Sequence, residues 1–74
     1  MYYTKRLKEL REEKKYTKKN IADFLGMAER TYTDVESGAV DIYVDDTIKL
    51  AKLYNVNMNY ICGVSNIRKP FQNE

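Results

Sequence analysis

The amino-acid sequence predicts an all-α domain built from five short helices. The chain has 74 residues, which provide one domain with a small core, and packed helices are the simplest way to build such a core. Apolar residues recur three and four positions apart along much of the chain, as on the inner face of a helix. Residues that cap or end helices, among them Thr17, Gly26 and Asn55, separate these stretches.

The first predicted helix spans residues 2–14. Its inner face carries Tyr3, Leu7 and Leu10, which repeat at i, i+4 and i+7. The basic run KKYTKK at residues 14–19 then leads into the second helix. This run is either a solvated surface or a set of phosphate contacts, because the free N–H groups of the next helix lie beside it.

The second predicted helix spans Lys18–Leu25. Thr17 precedes it and can cap its free N–H groups. Gly26 ends it, because glycine adopts positive φ without steric cost. The apolar residues that share one face of this helix are Ile21, Phe24 and Leu25.

The third predicted helix begins after a turn of only a few residues and ends at Gly38. Tyr32 and Val35 lie three positions apart and would face the same interior as the second helix. Two helices that cross steeply through so short a turn need a small contact residue, and Ala22 supplies it. The spacing therefore favours a helix-turn-helix formed by helices 2 and 3, with an ordinary helical hairpin as the alternative.

The fourth predicted helix spans Val44–Tyr54 and follows a linker at residues 39–43. Its apolar stripe is wide, which indicates burial on more than one side and a central position. The stripe consists of Val44, Thr47, Ile48, Leu50, Ala51 and Leu53. Asn55 can end this helix in a left-handed conformation, and Asn57 can cap a short fifth helix over residues 58–62.

Gly63 ends the fifth helix, so residues 1–63 are predicted to form the helix-turn-helix domain and residues 64–74 a tail. The tail is expected to be flexible or to serve as a dimer arm. Three of its apolar residues are spaced like one helical face, namely Val64, Ile67 and Phe71. Pro70 would break a helix there. The alternatives are a disordered end, which we favour, and an arm that packs on the body or on a second subunit.

The composition argues against several functional classes. The chain has no histidine and one cysteine, Cys62, which is expected to be a small buried residue in a reducing compartment. No apolar run approaches the ~20 residues of a membrane span. The N-terminus lacks an apolar signal core, so we expect a cytoplasmic location. No glycine-rich loop, metal-ligand cluster or convergent carboxylates indicate an enzyme, and we expect no metal, cofactor or small-molecule ligand.

Charge is distributed unevenly along the chain. Residues 1–19 carry eight Lys/Arg and three Glu, residues 20–47 one Arg and seven acids, and residues 48–74 four Lys/Arg and one Glu. A DNA-binding protein is expected to show a basic stripe. The third helix, which a helix-turn-helix would present to DNA, instead lies in the acidic segment.

With these segments placed, the sequence resembles the Xre/Cro-repressor family of lambda-repressor-like helix-turn-helix regulators. The match runs without gaps from about Arg6 to Gly63. It is carried by the run RLKELR at residues 6–11, residues 17–26, Glu36, Gly38, the run LAK at residues 50–52, Val56, Tyr60, Ile61 and Gly63. The resemblance implies a compact five-helix lambda-repressor-like bundle that binds a double-stranded DNA operator as a homodimer. It also implies transcriptional regulation, which we expect to be repression of phage or mobile-element type.

The resemblance also implies roles for individual residues. Base edges would be contacted from the start and exposed face of the third helix, at Ala28, Glu29, Arg30, Thr33 and Asp34. Phosphates would be contacted by Thr17, Lys18, Lys19 and Ser37, with Tyr43 as a further candidate and simple exposure as the alternative for each. Arg11 would form a partly buried ion pair with Glu36 that ties the first helix to the end of the third.

The chemistry of the base-contacting positions is mixed. Arg30 suits bidentate contact with guanine, Glu29 can accept from cytosine N4, and Thr33 can contact a base or a phosphate. Ala28 replaces the usual capping serine or threonine of the family. Glu29 and Asp34 are acidic where members of the family often carry arginine or lysine, and their carboxylates repel phosphates. The alternative function is therefore a protein-interaction module on the same fold, such as an antirepressor or antitoxin subunit, with weak or no DNA binding.

Overall fold

The computed structural model describes residues 2–71, and these residues form five α-helices. The helices are α1 (Tyr2–Glu13), α2 (Lys18–Leu25), α3 (Glu29–Ser37), α4 (Val44–Tyr54) and α5 (Met58–Ile61). The predicted all-α bundle is confirmed. The predicted bounds of α2 and α4 agree with the structure, whereas α1 and α5 each end one residue earlier than predicted.

Local capping explains why α2 begins and ends where it does. The hydroxyl of Thr17 accepts from the Asn20 amide at 3.0 Å, and the Thr17 amide donates to the Asn20 side chain at 2.9 Å. Together these two bonds form a capping box. Gly26 adopts φ 74°, and the Met27 amide donates back to the Ala22 carbonyl at 2.9 Å. This left-handed residue reverses the chain tightly enough for α3 to begin at Glu29.

The core lies where α1, α2, α3 and α4 meet, and α5 closes it. Ala22 is fully buried, as expected for the small residue at the contact between α2 and α3. Tyr32 and Val35 anchor α3 from its inner side. The buried apolar residues are Leu7, Leu10, Ile21, Ala22, Leu25, Tyr32, Val35, Leu50, Ala51, Tyr54, Val56, Tyr60 and Ile61.

Three apolar residues lie further from the core than their positions predicted. Phe24 is 48% exposed, because α2 packs through Ile21, Ala22 and Leu25 and leaves the edge of its apolar face open. Val44 is 69% exposed at the first residue of α4, which packs through Thr47 and the residues after it. Cys62 is exposed because it follows α5 at the point where the chain leaves the core.

The part of the tail that the structure describes, residues 64–71, lies against the body. The Asn57 amide donates to the Lys69 carbonyl at 2.7 Å, and the Asn57 side chain donates to the Ile67 carbonyl at 3.0 Å. Phe71 donates from its amide to the Asn55 side chain at 3.2 Å. Of the two alternatives for the tail, these contacts are those of an arm that packs on the body. Residues 72–74 lie outside the described part, and the division at residue 63 stays a prediction.

Arg68 makes the most extensive tail contact. It donates two hydrogen bonds to the Glu13 carboxylate, at 2.8 and 2.7 Å, and its guanidinium lies 5.0 Å from the centre of the Tyr60 ring. Arg6 of α1 lies 4.2 Å from the centre of the same ring and also bonds Asn66. The tail therefore connects α1 with α5 through stacked guanidinium and aromatic groups. Within residues 2–71 no helix combines the length and hydropathy needed to traverse a lipid bilayer.

Candidate nucleic-acid interface

α3 presents one side to the core and the other to solvent. Its inner residues Tyr32 and Val35 are 0% and 1% exposed, so the orientation of the helix is fixed by packing. Ala28 occupies the N-cap position with φ −69° and ψ 149°, and its side chain makes no capping hydrogen bond. The first amides of α3 are thus left for other acceptors, as expected for an alanine at this position. Gly38, with φ 86°, ends the helix.

The outer side of α3 carries the residues predicted to contact bases. Glu29 and Arg30 are exposed, and Thr33 and Asp34 are half-buried. Arg30, Thr33 and Asp34 follow at i, i+3 and i+4, so they share one stripe of the helix surface. Among the described residues no ion pair occupies the guanidinium of Arg30. Glu29, one position before Arg30, borders them, and these four residues form the outer stripe of α3, which presents one available cation between two carboxylates.

The residues predicted to contact phosphates are not all equally available. The Thr17 hydroxyl serves the α2 cap, and Lys19 pairs with Asp23 at 3.3 Å on the surface. The Ser37 hydroxyl donates to the Asp34 carbonyl at 3.0 Å. Tyr43 is 79% exposed.

Two separate depressions adjoin α3. One is lined by Lys8, Lys18, Thr33, Glu36 and Ser37, so it gathers two predicted phosphate contacts, Lys18 and Ser37, beside Thr33. Tyr43 lies at the other, which is lined mainly by residues of the α2–α3 turn and the α3–α4 linker. Lys8 was not predicted from the sequence. Its position in the sequence could have indicated it. Lys8 lies one helical turn before Arg11 and therefore on the same side of α1, and the resemblance places Arg11 in contact with α3.

Arg11 and Glu36 join α1 to the end of α3. Arg11 Nε donates to Glu36 Oε2 at 2.7 Å, and Arg11 Nη2 donates to Glu36 Oε1 at 3.2 Å. A third hydrogen bond runs from Arg11 Nη1 to the Tyr16 carbonyl at 2.9 Å. The two side chains are only 10% and 4% exposed. The hydrogen bonds to Glu36 raise the pKa of Arg11 above its ordinary value, so the guanidinium stays protonated across the physiological range.

Two buried tyrosines surround this ion pair. Burial raises the pKa of the Tyr32 hydroxyl well above its ordinary value, and the neighbouring Glu36 carboxylate adds to the shift. The same two causes raise the pKa of Tyr54. Both hydroxyls therefore remain neutral, and they add no charge beside Arg11 and Glu36 at the C-terminal end of α3.

Acidic residues lie on the side of α3 that faces the α3–α4 linker and the start of α4. Asp41 and Asp45 are exposed and Asp46 is half-buried, in the linker and in the first turn of α4. Lys8 and Lys18 lie on the α1 and α2 side. The surface around α3 is thus electrostatically polarised, with phosphate attraction possible on one side only. Within residues 2–71 no group of three His, Cys, Asp or Glu side chains is placed to hold a metal ion.

Comparison with known proteins agrees with this geometry. A protein-family model described as a helix-turn-helix domain matches residues 4–64. This range includes all five helices apart from the first two residues of α1. The chain belongs to the helix-turn-helix domain family. The family recognised from the sequence is thereby confirmed, and α2 and α3 are the two helices that give the motif its name.

Three relatives from Bacillus subtilis (strain 168) carry the same type of domain. They are the HTH-type transcriptional regulator ImmR, 35% identical over 65 residues, and two uncharacterized HTH-type transcriptional regulators, YobD, 32% identical over 68 residues, and YqaE, 31% identical over 72 residues. The matches cover 88%, 92% and 97% of this chain, in that order. They cover only 51%, 61% and 62% of the relatives, so the chain spans between half and two thirds of their lengths. No solved structure matches the chain.

Proposed function

We propose that this chain is the DNA-binding module of a transcriptional regulator, with α3 entering the major groove of a double-stranded operator. The observation that carries the proposal is the division of α3 between its two sides. Tyr32 and Val35 fix the helix from inside, while Glu29 and Arg30 stay exposed on its outer side. A helix held by packing and exposed along one stripe can enter the groove without unfolding any other element.

The base contacts follow from the chemistry of the stripe. Arg30 donates two parallel hydrogen bonds to O6 and N7 of a guanine, the commonest specific contact in the major groove. Glu29 accepts from N4 of a neighbouring cytosine, and Thr33 contacts a base or a phosphate. Asp34 lies beside Arg30 and discourages close approach of the backbone there. These acids lower general affinity for DNA, so a larger share of the binding depends on base sequence.

Phosphate contacts come from the positively charged side of the site. Lys18, Lys19 and the end of α3 at Ser37 flank the stripe, and Thr17 lies beside them at the start of α2. Tyr43, the remaining member of the predicted set, lies beside Asp41 and Asp46 and offers a neutral hydroxyl instead of a positive charge. Two copies of the chain bind two half-sites related by a two-fold axis, as a homodimer does on an operator. The relatives' names as transcriptional regulators support regulation of transcription, and we propose repression of a phage or mobile-element promoter in the cytoplasm. The same relationships support a regulator with no catalytic activity.

The test is selection of bound sequences from a random duplex pool at low salt. We expect a two-fold-related motif with a guanine in each half-site. The affinity for the selected duplex is expected to fall steeply with salt, with a slope of roughly 0.9 log units per log unit of salt for each neutralised phosphate. Failure to enrich any motif, or an affinity that does not change with salt, contradicts the proposal.

The acids of the α3 surface favour a second candidate function. Glu29, Asp34 and the acidic start of α4 would also suit a protein partner with a basic groove, as for an antirepressor or antitoxin subunit. Such a module would bind heparin and DNA weakly. Retention on a heparin column separates the candidates, because only the DNA-binding module should be retained strongly. Arg30→Ala gives a second test, since it weakens binding to the selected duplex only if α3 contacts bases.

A further inference from the structure

A cleft between three helices brings together two lysines that form no ion pair with any carboxylate of residues 2–71. Lys8 of α1, Lys18 of α2 and the α3 residues Thr33, Glu36 and Ser37 line it. Lys8 is exposed and Lys18 is half-buried. Neither lysine takes part in any of the ion pairs found among the described residues. The cleft thus holds two cationic groups from different helices.

The one acid in the cleft does not serve as their counter-ion. The Glu36 side chain is 4% exposed, and each of its oxygens accepts a hydrogen bond from Arg11. Its charge is therefore matched from within the protein. By contrast, Lys19 and Arg68 each have a carboxylate partner, in Asp23 and Glu13.

The cleft is continuous with the outer stripe of α3. Arg30, Thr33 and Ser37 follow at i, i+3 and i+7, so the two hydroxyl residues of the cleft share a helix face with Arg30. When a helix lies in the major groove, the backbone strands run along its flanks. A phosphate on the α1 side would lie next to this cleft.

We propose that the cleft binds a phosphodiester group of the DNA backbone, with Lys8 as a contact that the helix-turn-helix itself does not contain. Lys8 and Lys18 donate charge-assisted hydrogen bonds to the phosphate oxygens, and the Thr33 hydroxyl donates a third. The contact fixes the register of α3 on the duplex from its positively charged side. This inference rests on the proposed function and adds a binding residue to it.

The test compares three single substitutions on the selected operator and on an unrelated duplex of equal length. Lys8→Ala and Lys18→Ala remove the cleft cations one at a time. Lys49→Ala removes an exposed lysine of α4 that does not line the cleft, so it controls for the loss of one charge. Fluorescence anisotropy over a range of salt concentrations gives the slope of log affinity against log salt, and thermal melts show that each variant is folded.

We expect Lys8→Ala and Lys18→Ala each to lower the slope by about 0.9 on both duplexes, because phosphate contacts do not depend on base sequence. Lys49→Ala should keep the wild-type slope, and Lys8→Arg should largely restore it. If Lys8→Ala does not fold, Lys8→Gln carries the same expectation.

The failures are distinguishable. A wild-type chain that binds the operator while Lys8→Ala keeps the wild-type slope overturns the cleft alone. A Lys8→Ala effect confined to the operator also overturns it, since that is the behaviour of a base contact. A wild-type chain that binds neither duplex overturns the proposed function and the cleft together.

Discussion

Arg11 donates two hydrogen bonds to Glu36 across 25 positions of sequence, with its Nε 2.7 Å from Oε2. Glu36 lies one residue before the end of α3, so this ion pair holds the end of the proposed recognition helix against α1. The orientation of the outer stripe therefore depends on a residue of the first helix that does not lie on the stripe itself.

Arg11→Ala is expected to destabilise the protein strongly. The substitution leaves the buried Glu36 carboxylate without its partner, and breaking a buried pair in this way costs about 3 kcal/mol. Urea denaturation followed by circular dichroism measures the loss. Lys19→Ala is the matched control, because its pair with Asp23 is exposed and is worth less than about 0.5 kcal/mol. Equal effects of the two substitutions would contradict the structural role of the buried pair.

The helix caps give a pair of predictions with opposite signs. Ala28→Ser is expected to stabilise the protein by about 1 kcal/mol, because serine can bond the amides that Ala28 leaves unbonded at the start of α3. Thr17→Ala is expected to destabilise it by about 1 kcal/mol through loss of the capping box. Thermal melts should show shifts of about 4–8 °C in opposite directions. A fall in Tm for Ala28→Ser would contradict the unbonded start of α3, and a rise for Thr17→Ala would contradict the capping box of α2.

Arg30→Ala is expected to weaken binding to the selected operator by about 1–3 kcal/mol, the value of a bidentate base contact. Binding to an unrelated duplex should change far less. Competition titrations with both duplexes measure the ratio of the two affinities, and Lys49→Ala serves as the control for net charge. An equal loss on both duplexes would assign Arg30 to the phosphate backbone instead.

Removing the acids of the outer stripe is expected to have the reverse effect. Glu29→Gln combined with Asp34→Asn should raise affinity for unrelated DNA by about 0.5 kcal/mol per charge at low salt, because two carboxylates no longer repel the phosphates. The gain should fade as salt shortens the screening length. Filter binding at two salt concentrations measures it. An unchanged affinity at low salt would place these side chains away from the duplex.

The tail contact is expected to weaken at acid pH. Hydrogen bonds from Arg68 lower the pKa of Glu13 below its ordinary value of about 4.3. A carboxylate with a lowered folded pKa contributes stability that is present above its unfolded pKa and is lost as the pH falls through the folded pKa. Amide chemical shifts of residues 64–71 should therefore change between pH 5 and pH 3. Arg68→Ala removes the partner and should already show the altered shifts at pH 7.

Helix bounds could be predicted closely because their signals are local. Thr17, Gly26 and Asn55 each act on backbone groups within a few residues, so the sequence contains the whole cause. The inner sides of α2 and α3 were predicted for the same reason. The extent of burial was not, because it depends on which part of each apolar face a distant element covers. Phe24 and Val44 lie at the uncovered edges of their helices.

The candidate site divides in the same way. The outer stripe of α3 followed from family positions, and these base and phosphate contacts stay predictions. Lys8 was not identified, because its place beside Lys18 and Thr33 depends on how α1 packs on α3, and its spacing from Arg11 was the one local indication. The contact between Glu13 and Arg68 spans 55 positions and has no sequence pattern.

The same long-range contact affects the order in which the protein folds. Helices that are neighbours in sequence can pair early, whereas joining Arg68 to Glu13 closes a long loop and costs entropy before any contact is gained. Docking of the tail is therefore expected after the rate-limiting step. An interaction formed that late slows unfolding and leaves the folding rate almost unchanged, so residues 64–71 extend the lifetime of a bundle that assembles without their help.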